Sequence, residues 1–275
     1  MLLDRGVRER VDTAGVEKLF SPSVDSLFAA SNLVIANLEC PATHVVAPMQ
    51  KKYIFRGDPE HLHALQCHGV THLNLANNHS IDQGRRGLLS TIDNIREAGM
   101  VPVGAGENMR EAAQPVLLTE TPRRVWLLPS LRLALENYAY LPDKPCVSQE
   151  PMDSLVARVA SLRRSSSTDY IIVTLHWGGE NTFRPILQQV VDAHRLVDAG
   201  ANLIVGHHSH TLQPKEQYKG ATIFYSIGNF IFDALRPIHK NGCAVTVTVT
   251  ADSSTVSSHQ VSINNCTPFL SQKSL

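Results

Sequence analysis

The apolar run Leu203-Ile204-Val205 breaks off at Gly206 and gives way at once to His207-His208-Ser209-His210. No other stretch constrains the fold as much. A short aliphatic run bounded by glycine reads as a buried strand, and a buried strand ending in imidazoles delivers them to one edge of a sheet. Open α/β sheets gather ligands at the C-terminal edge of their strands. Neutral imidazole is the commonest metal-binding side chain, and the H-x-H pair His208 and His210 lets two rings face one ion from one loop. Taken alone, the same residues equally suit a polar surface loop.

The pattern recurs along the chain. Leu33 to Leu38 is an apolar run that ends in Glu39 and is closed by Pro41. Val70 to Ala76 runs into Asn77-Asn78-His79, and Tyr170 to Leu175 runs into His176-Trp177-Gly178-Gly179. Between these runs, apolar residues recur at helical spacing: Val24, Leu27 and Phe28 after Ser21-Pro22, and Leu62 and Leu65 after Asp58-Pro59-Glu60. Leu88, Leu89, Ile92 and Ile95 mark a third helix, Leu155, Val156, Val159 and Leu162 a fourth, and Leu187, Val190, Val191, His194 and Val197 a fifth. Proline at the first helical position marks the starts after Ser21 and Asp58.

Further strands are expected at Val101 to Val103, Arg124 to Leu128 and Ala221 to Ser226. Residues 243 to 250 alternate valine with threonine and predict a hairpin with 256 to 263. Lys51 to Arg56 predicts a short edge strand, 131 to 151 a covering loop, and Met1 to Val7 the exit of a strand. Helices alternating with strands, then strands in succession, give an α/β layered fold with at least one mixed sheet. The 275 residues show no repeat and no linker that forces a domain boundary.

If these strands share a sheet, Glu39, Asn78-His79, His176 and His208 with His210 emerge together at one edge. Each has an ordinary alternative: a surface carboxylate, an asparagine turn, a polar residue at a strand end. As a set, a carboxylate oxygen, an amide oxygen and several imidazoles suit one or two borderline divalent ions such as Mn²⁺, Zn²⁺ or Fe²⁺. Mg²⁺ and Ca²⁺ sites favour oxygen over nitrogen.

Composition removes other classes. With 25 basic and 25 acidic residues there is no basic field for nucleic acid. The five cysteines are scattered and include no C-x-x-C pair, which argues against a disulfide framework or a thiolate-bound zinc. No apolar run approaches the roughly 18 residues of a membrane span, and charges interrupt the N-terminus where a signal peptide is apolar. The chain as given is expected to be cytoplasmic, or membrane-associated or extracytoplasmic if the gene extends upstream.

In this order the motifs resemble the CapA, or poly-γ-glutamate capsule-synthesis, family of the calcineurin-like metallophosphatase superfamily. The resemblance is carried by Asn37-Leu38-Glu39-Cys40-Pro41, the stretch from Asn74 to Gly84 and Gly104-Ala105-Gly106. Leu175-His176-Trp177-Gly178, Gly206 to His210 and Tyr225 to Phe230 complete it. It covers residues 1 to about 235, followed by a C-terminal β segment at 243 to 263. It implies one domain of metallophosphatase type over 1 to 275, built as a four-layer α-β-β-α sandwich. By that resemblance Asn78 is an amide ligand, His79 the catalytic histidine, and His176, His208 and His210 imidazole ligands. His207 is then a neighbour, and Glu39 stands where the superfamily has a bridging aspartate.

Family members begin with a strand ending in Gly-Asp just ahead of a segment like Leu3 to Val7, so the first strand and its aspartate are expected to be missing from this chain. Two readings follow. One is a metal-dependent hydrolase or transferase acting on a phosphoester or γ-glutamyl substrate. The other is a non-catalytic assembly or binding subunit of capsular polymer synthesis or export with a degenerate metal site. Either implies capsule-synthesis membrane proteins and poly-γ-glutamate as partners, with Lys51, Lys52 and Arg56 as a local basic patch for the polyanion.

Overall fold

A computed structural model of the chain describes residues 1–136 and 138–274. Three short parallel strands, β1 (Ile35–Asn37), β2 (His72–Asn74) and β3 (Val101–Val103), form a small sheet in that order. Beside it β4 (Ala105–Gly106) pairs with β7 (Cys146–Val147). The largest sheet holds β5 (Val116–Thr119), β6 (Val125–Leu131), β8 (Tyr170–His176), β9 (Leu203–His207), β10 (Lys215–Tyr218) and β11 (Ala221–Phe224). Its order is β10-β11-β9-β8-β6-β5, with the four inner strands parallel and both edge strands antiparallel. A third, antiparallel sheet contains β12 (Asn241–Val249), β13 (Ser254–Asn264) and β14 (Thr267–Ser274).

The helices are α1 (Gly6–Ala14), α2 (Pro22–Ala29), α3 (His61–Cys67), α4 (Gly84–Glu97), the short α5 (Met109–Ala112), α6 (Met152–Ser165) and α7 (Leu187–Asp198). Side-chain alternation along the strands sorts these elements into layers. Ile171, Val173, Ile204 and Ile223 face Leu155 and Val159 of α6 and Leu196 of α7. The opposite face of the same strands, with Leu127, Tyr170, Ile172, Leu203 and Val205, meets Ile35, Val103 and the valines of β12. Beyond those sheets, Leu73, Val261 and Ile263 pack with Val7, Phe28, Leu65, Leu88 and Ile95 of α1 to α4. The result is an α-β-β-α sandwich. The continuous apolar run of β8 is buried along its whole length, as expected for an inner parallel strand covered on both faces.

Local readings differ in places. Residues 51 to 56 form no strand, because Lys51 turns inward to a buried carboxylate. The helix after Asp58-Pro59 opens only at His61. Ser21 stands at the N-cap of α2 ahead of Pro22, as expected, but its hydroxyl donates to the Pro268 carbonyl at 2.6 Å rather than to the helix backbone. Both edge strands of the large sheet are only partly buried, and β10, Lys215-Glu216-Gln217-Tyr218, lacks the apolar signature of its neighbours. Residues 1 to 3 belong to no strand and Gly6 already opens α1, although Glu39 N donates to Met1 O at 2.8 Å and Leu2 N to Ile231 O at 2.9 Å. Among the described residues no helix is long and apolar enough to cross a membrane. All five cysteines are free.

The main correction concerns the sheet edge. The polar clusters do not share one sheet: Glu39 and Asn78-His79 follow β1 and β2, whereas His176 and His208 follow strands of the large sheet. Stacking of the two sheets brings their C-terminal ends together.

Candidate metal centre

The loop after β9 is shaped by backbone as much as by side chains. A Cβ on Gly206 would collide with the Tyr225 carbonyl and stand 2.6 Å from the Trp177 indole nitrogen, so only glycine lets the strand pass there. Immediately beyond, His208 (φ 95°) and His210 (φ 56°) both occupy the left-handed region. Non-glycine residues adopt it at a cost that surrounding structure must offset, and such strain gathers at functional sites.

Four predicted residues converge. Oε1 of Glu39 lies 3.5 Å from Nε2 of His176 and 3.5 Å from Nε2 of His210. Nδ1 of His208 lies 3.2 Å from Nε2 of His176. One donor atom each from Glu39, His176 and His208 falls within 4.8 Å of the others. His207 stacks 6.5 Å from His176, centroid to centroid, and stays outside the cluster. Asn78 lies in the turn after β2, and its Oδ1 is buried with no hydrogen-bond partner among the described residues. Oε1 of Glu39 is orphaned in the same way. Buried polar atoms without partners are rare and mark strain, catalysis or a missing ion. A carboxylate oxygen and three imidazole nitrogens, with the carboxylate oxygen orphaned, fit a borderline divalent cation.

Electrostatics agree with that fit. Burial pushes the Glu39 carboxyl up, but His210, His176 and His79 around it more than offset this, and the carboxylate is held well below its usual range. Burial lowers His176 well below the ordinary histidine value against the pull of Glu39. Burial likewise lowers His208, and it takes His207 down to about 4. An ionised carboxylate beside a His176 and a His208 that burial keeps from protonating is the state that metal ligation requires.

The orienting residues were less visible in the sequence. Nδ1 of His210 is 2.9 Å from Oδ1 of Asn229, which turns Nε2 toward Glu39. Asn229 is itself fixed by the carbonyls of His210 and His239. Asn37 donates to Oε2 of Glu39 at 3.2 Å, and Asn77 donates to Asn37 and to the Leu38 carbonyl. Oδ1 of Asn77 accepts from the backbone of His79 and Ser80, so one side chain ties the β2 turn to the β1 exit.

His79 belongs to a second group. Its Nδ1 stands 2.8 Å from Oδ2 of fully buried Asp82, and its ring packs on Phe55. Lys51 donates to Oδ1 of Asp82 at 2.7 Å and to the Asn78 carbonyl at 2.9 Å. With only 6% of its side chain exposed, Lys51 cannot serve the surface basic patch expected of it with Lys52 and Arg56. The His79-x-x-Asp82 spacing was the available sequence signal; nothing local announced Lys51.

Comparison with known proteins follows from the sequence. The family described as bacterial capsule synthesis protein PGA_cap matches residues 1–234. The chain is 34% identical over 244 residues to the capsule biosynthesis protein CapA of Bacillus anthracis, covering 85% of this chain and 58% of that protein. It is 30% identical over 236 residues to the PGA biosynthesis protein CapA of Bacillus subtilis, covering 85% and 61%. The chain therefore spans well under two thirds of the length of these relatives. Among solved structures, NAD nucleotidase of Haemophilus influenzae aligns at a TM-score of 0.49 and 11% identity, over 90% of this chain and 47% of that one.

Proposed function

This chain belongs to the bacterial capsule synthesis protein family, and on that premise we propose that it carries out metal-dependent hydrolase or transferase chemistry in the making of a capsular polymer. The substrate is a phosphoester or a γ-glutamyl linkage, and the partners are poly-γ-glutamate and the membrane proteins that synthesise it. One observation carries the reading: Oε1 of Glu39 is buried without a hydrogen-bond partner while two histidine Nε2 atoms face it at 3.5 Å. A buried oxygen left without a hydrogen bond is costly, and coordination of a cation relieves the cost.

Glu39, His176, His208 and His210 hold one Mn²⁺, Zn²⁺ or Fe²⁺ ion, with Asn78 supplying the amide oxygen. The single carboxylate of this cluster suits one ion better than a bridged pair. When bound, the ion supplies Lewis acidity at a phosphoryl or carbonyl oxygen and acidifies a water. His79 handles the proton of the leaving oxygen through Nε2, since Nδ1 is engaged by Asp82. Asp82 fixes the ring and its tautomer, as carboxylate partners of catalytic histidines do.

The test is calorimetric titration of Mn²⁺ and Zn²⁺ into wild type, Glu39→Gln and His79→Ala, with turnover of chromogenic phosphoesters and γ-linked glutamate oligomers read in parallel. The expected result is metal-dependent turnover lost in His79→Ala with metal binding retained. Metal binding that Glu39→Gln leaves intact overturns the site. Metal binding without any turnover, together with capture of the polymer, returns the assembly-subunit reading.

A further inference from the structure

The Glu39 cluster includes no lysine or arginine side chain, and the nearby basic side chains are mostly committed. Lys51 is locked between Asp82 and the Asn78 carbonyl, Arg8 lies on Asp4 and Asp58, and Arg236 on Asn181. Arg5 differs. Its Nε donates to Oδ2 of Asp233 at 2.8 Å, and its Nη2 lies 2.8 Å from that same oxygen. Its Nη1 has no protein partner among the described residues, and 37% of the side chain is exposed although Asp233 is almost wholly buried.

Two rings place this guanidinium at the site. It lies 5.6 Å from the centroid of Phe55, whose ring packs 4.3 Å from that of His79. It lies 6.0 Å from the centroid of Phe232, whose ring packs 5.0 Å from that of His210. Both phenylalanines are buried. The cation is thus held on apolar faces, one ring away from the proposed catalytic histidine and one ring away from a proposed ligand. Its backbone is also left-handed at φ 56°. A plain surface ion pair has no need of that geometry. The next residue also packs tightly on Asp233: a Cβ on Gly6 would stand 2.9 Å from that of Asp233.

We propose that Arg5 takes hold of an oxyanion of the substrate at the rim of the Glu39–histidine site, with Asp233 as the carboxylate that positions its guanidinium. This rests on the metal-site reading above. A planar fork with an open edge recognises two oxygens of one group, a phosphoryl or a carboxylate, in a way an ammonium does not.

The test titrates inorganic phosphate and a γ-linked glutamate oligomer, separately, into metal-loaded and metal-stripped wild type, Arg5→Gln, Arg5→Lys and the exposed control Arg96→Gln. Metal affinity is measured on each. Metal affinity is expected to stay within about twofold throughout, while Arg5→Gln weakens one or both anions roughly tenfold to a hundredfold, as loss of a charge-assisted bond does. Loss confined to phosphate identifies a phosphoryl substrate, and loss confined to the oligomer a carboxylate. Wild-type affinity for both anions in folded Arg5→Gln overturns the proposal. If that variant does not fold, Arg5→Lys decides by the same criterion, because it keeps a cation beside Asp233 and loses only the fork. Absence of metal binding by wild type would count against the metal site alone, since the metal-stripped titrations still read Arg5.

Discussion

Oε1 of Glu39 and Nε2 of His176 stand 3.5 Å apart, although the strands that deliver them lie in different sheets. Glu39 leaves the small three-stranded sheet and His176 ends an inner strand of the six-stranded one. The contact exists because the two sheets stack with their C-terminal ends aligned, so it reports on the sandwich as a whole.

Glu39→Gln keeps the shape of the side chain and removes its charge. Metal affinity is expected to fall by at least about a hundredfold, beyond the 10–100-fold typical of losing an outer partner of a ligand. Thermal stability without metal should fall as well, because the histidines that hold the carboxyl below its usual range stabilise the fold only while Glu39 is charged. Calorimetric titration alongside a thermal melt separates the two effects.

His79→Ala should lower turnover by roughly 10²–10⁴-fold, the range for a positioned acid or base. Asp82→Asn should lower it by less, since the ring remains and only its orientation suffers. Equal metal affinity in both variants and wild type is the required control. An unchanged kcat in His79→Ala defeats the assigned role.

Lys51 and Asp82 form a buried pair, with side-chain exposures of 6% and 0%. Removing Lys51 leaves buried Asp82 with the His79 and Phe55 N contacts at Oδ2 but nothing at Oδ1, so Lys51→Met should destabilise the fold by about 3–5 kcal/mol. The double variant Lys51→Met with Asp82→Asn should cost less than the sum of the single changes. Urea denaturation of all four proteins gives the coupling.

Burial holds His176 neutral, well below its ordinary value of 6.5. The unfolded chain therefore binds one more proton than the folded chain once pH falls below about 6.5. Stability should be full above that pH and fall below it by up to about 1.4 kcal/mol per pH unit, levelling only beneath the folded pKa. In chelator-treated protein, His176→Gln should show a slope shallower by about one proton between pH 6.5 and 5. Parallel slopes contradict the assignment.

Gly206→Ala places a methyl group against the Tyr225 carbonyl and the Trp177 indole. Neither can withdraw, because Trp177 Nε1 donates to that carbonyl at 2.9 Å. The variant should lose about 1–3 kcal/mol, the cost of forcing atoms into a packed interior. It should also lose metal affinity, since His208 and His210 hang from this strand end. A melt combined with a metal titration reads both.

Much of the fold was legible before any coordinates. Tyr170 to Leu175 and Leu203 to Val205 read as strands from their apolar runs, and they are inner ones, because parallel strands covered on both faces are apolar throughout. The valine and threonine alternation after Cys243 predicted the β12–β13 hairpin correctly. Edge strand β10, Lys215-Glu216-Gln217-Tyr218, went unseen because a half-exposed strand carries no such run, and β5, Val116-Leu117-Leu118-Thr119, because its apolar run is too short to tell strand from helix. Lys51 was misplaced for a related reason: a lysine beside another lysine reads as surface, and its partner Asp82 lies 31 residues away.

The sequence by itself determined which side chains end which strands, since period and punctuation are local properties of the chain. It thereby specified Glu39, Asn78, His79, His176, His208 and His210 as the residues to watch. Only the tertiary structure decided how they meet. Stacking of two sheets, rather than adjacency in one, brings Glu39 to the histidines, and left-handed backbone at His208 and His210 shapes the loop that carries their rings. The supporting contacts from Asn229, Asp82, Lys51 and Arg5 come from distant or irregular segments. Such contacts depend on where the chain returns in space, which no local pattern encodes.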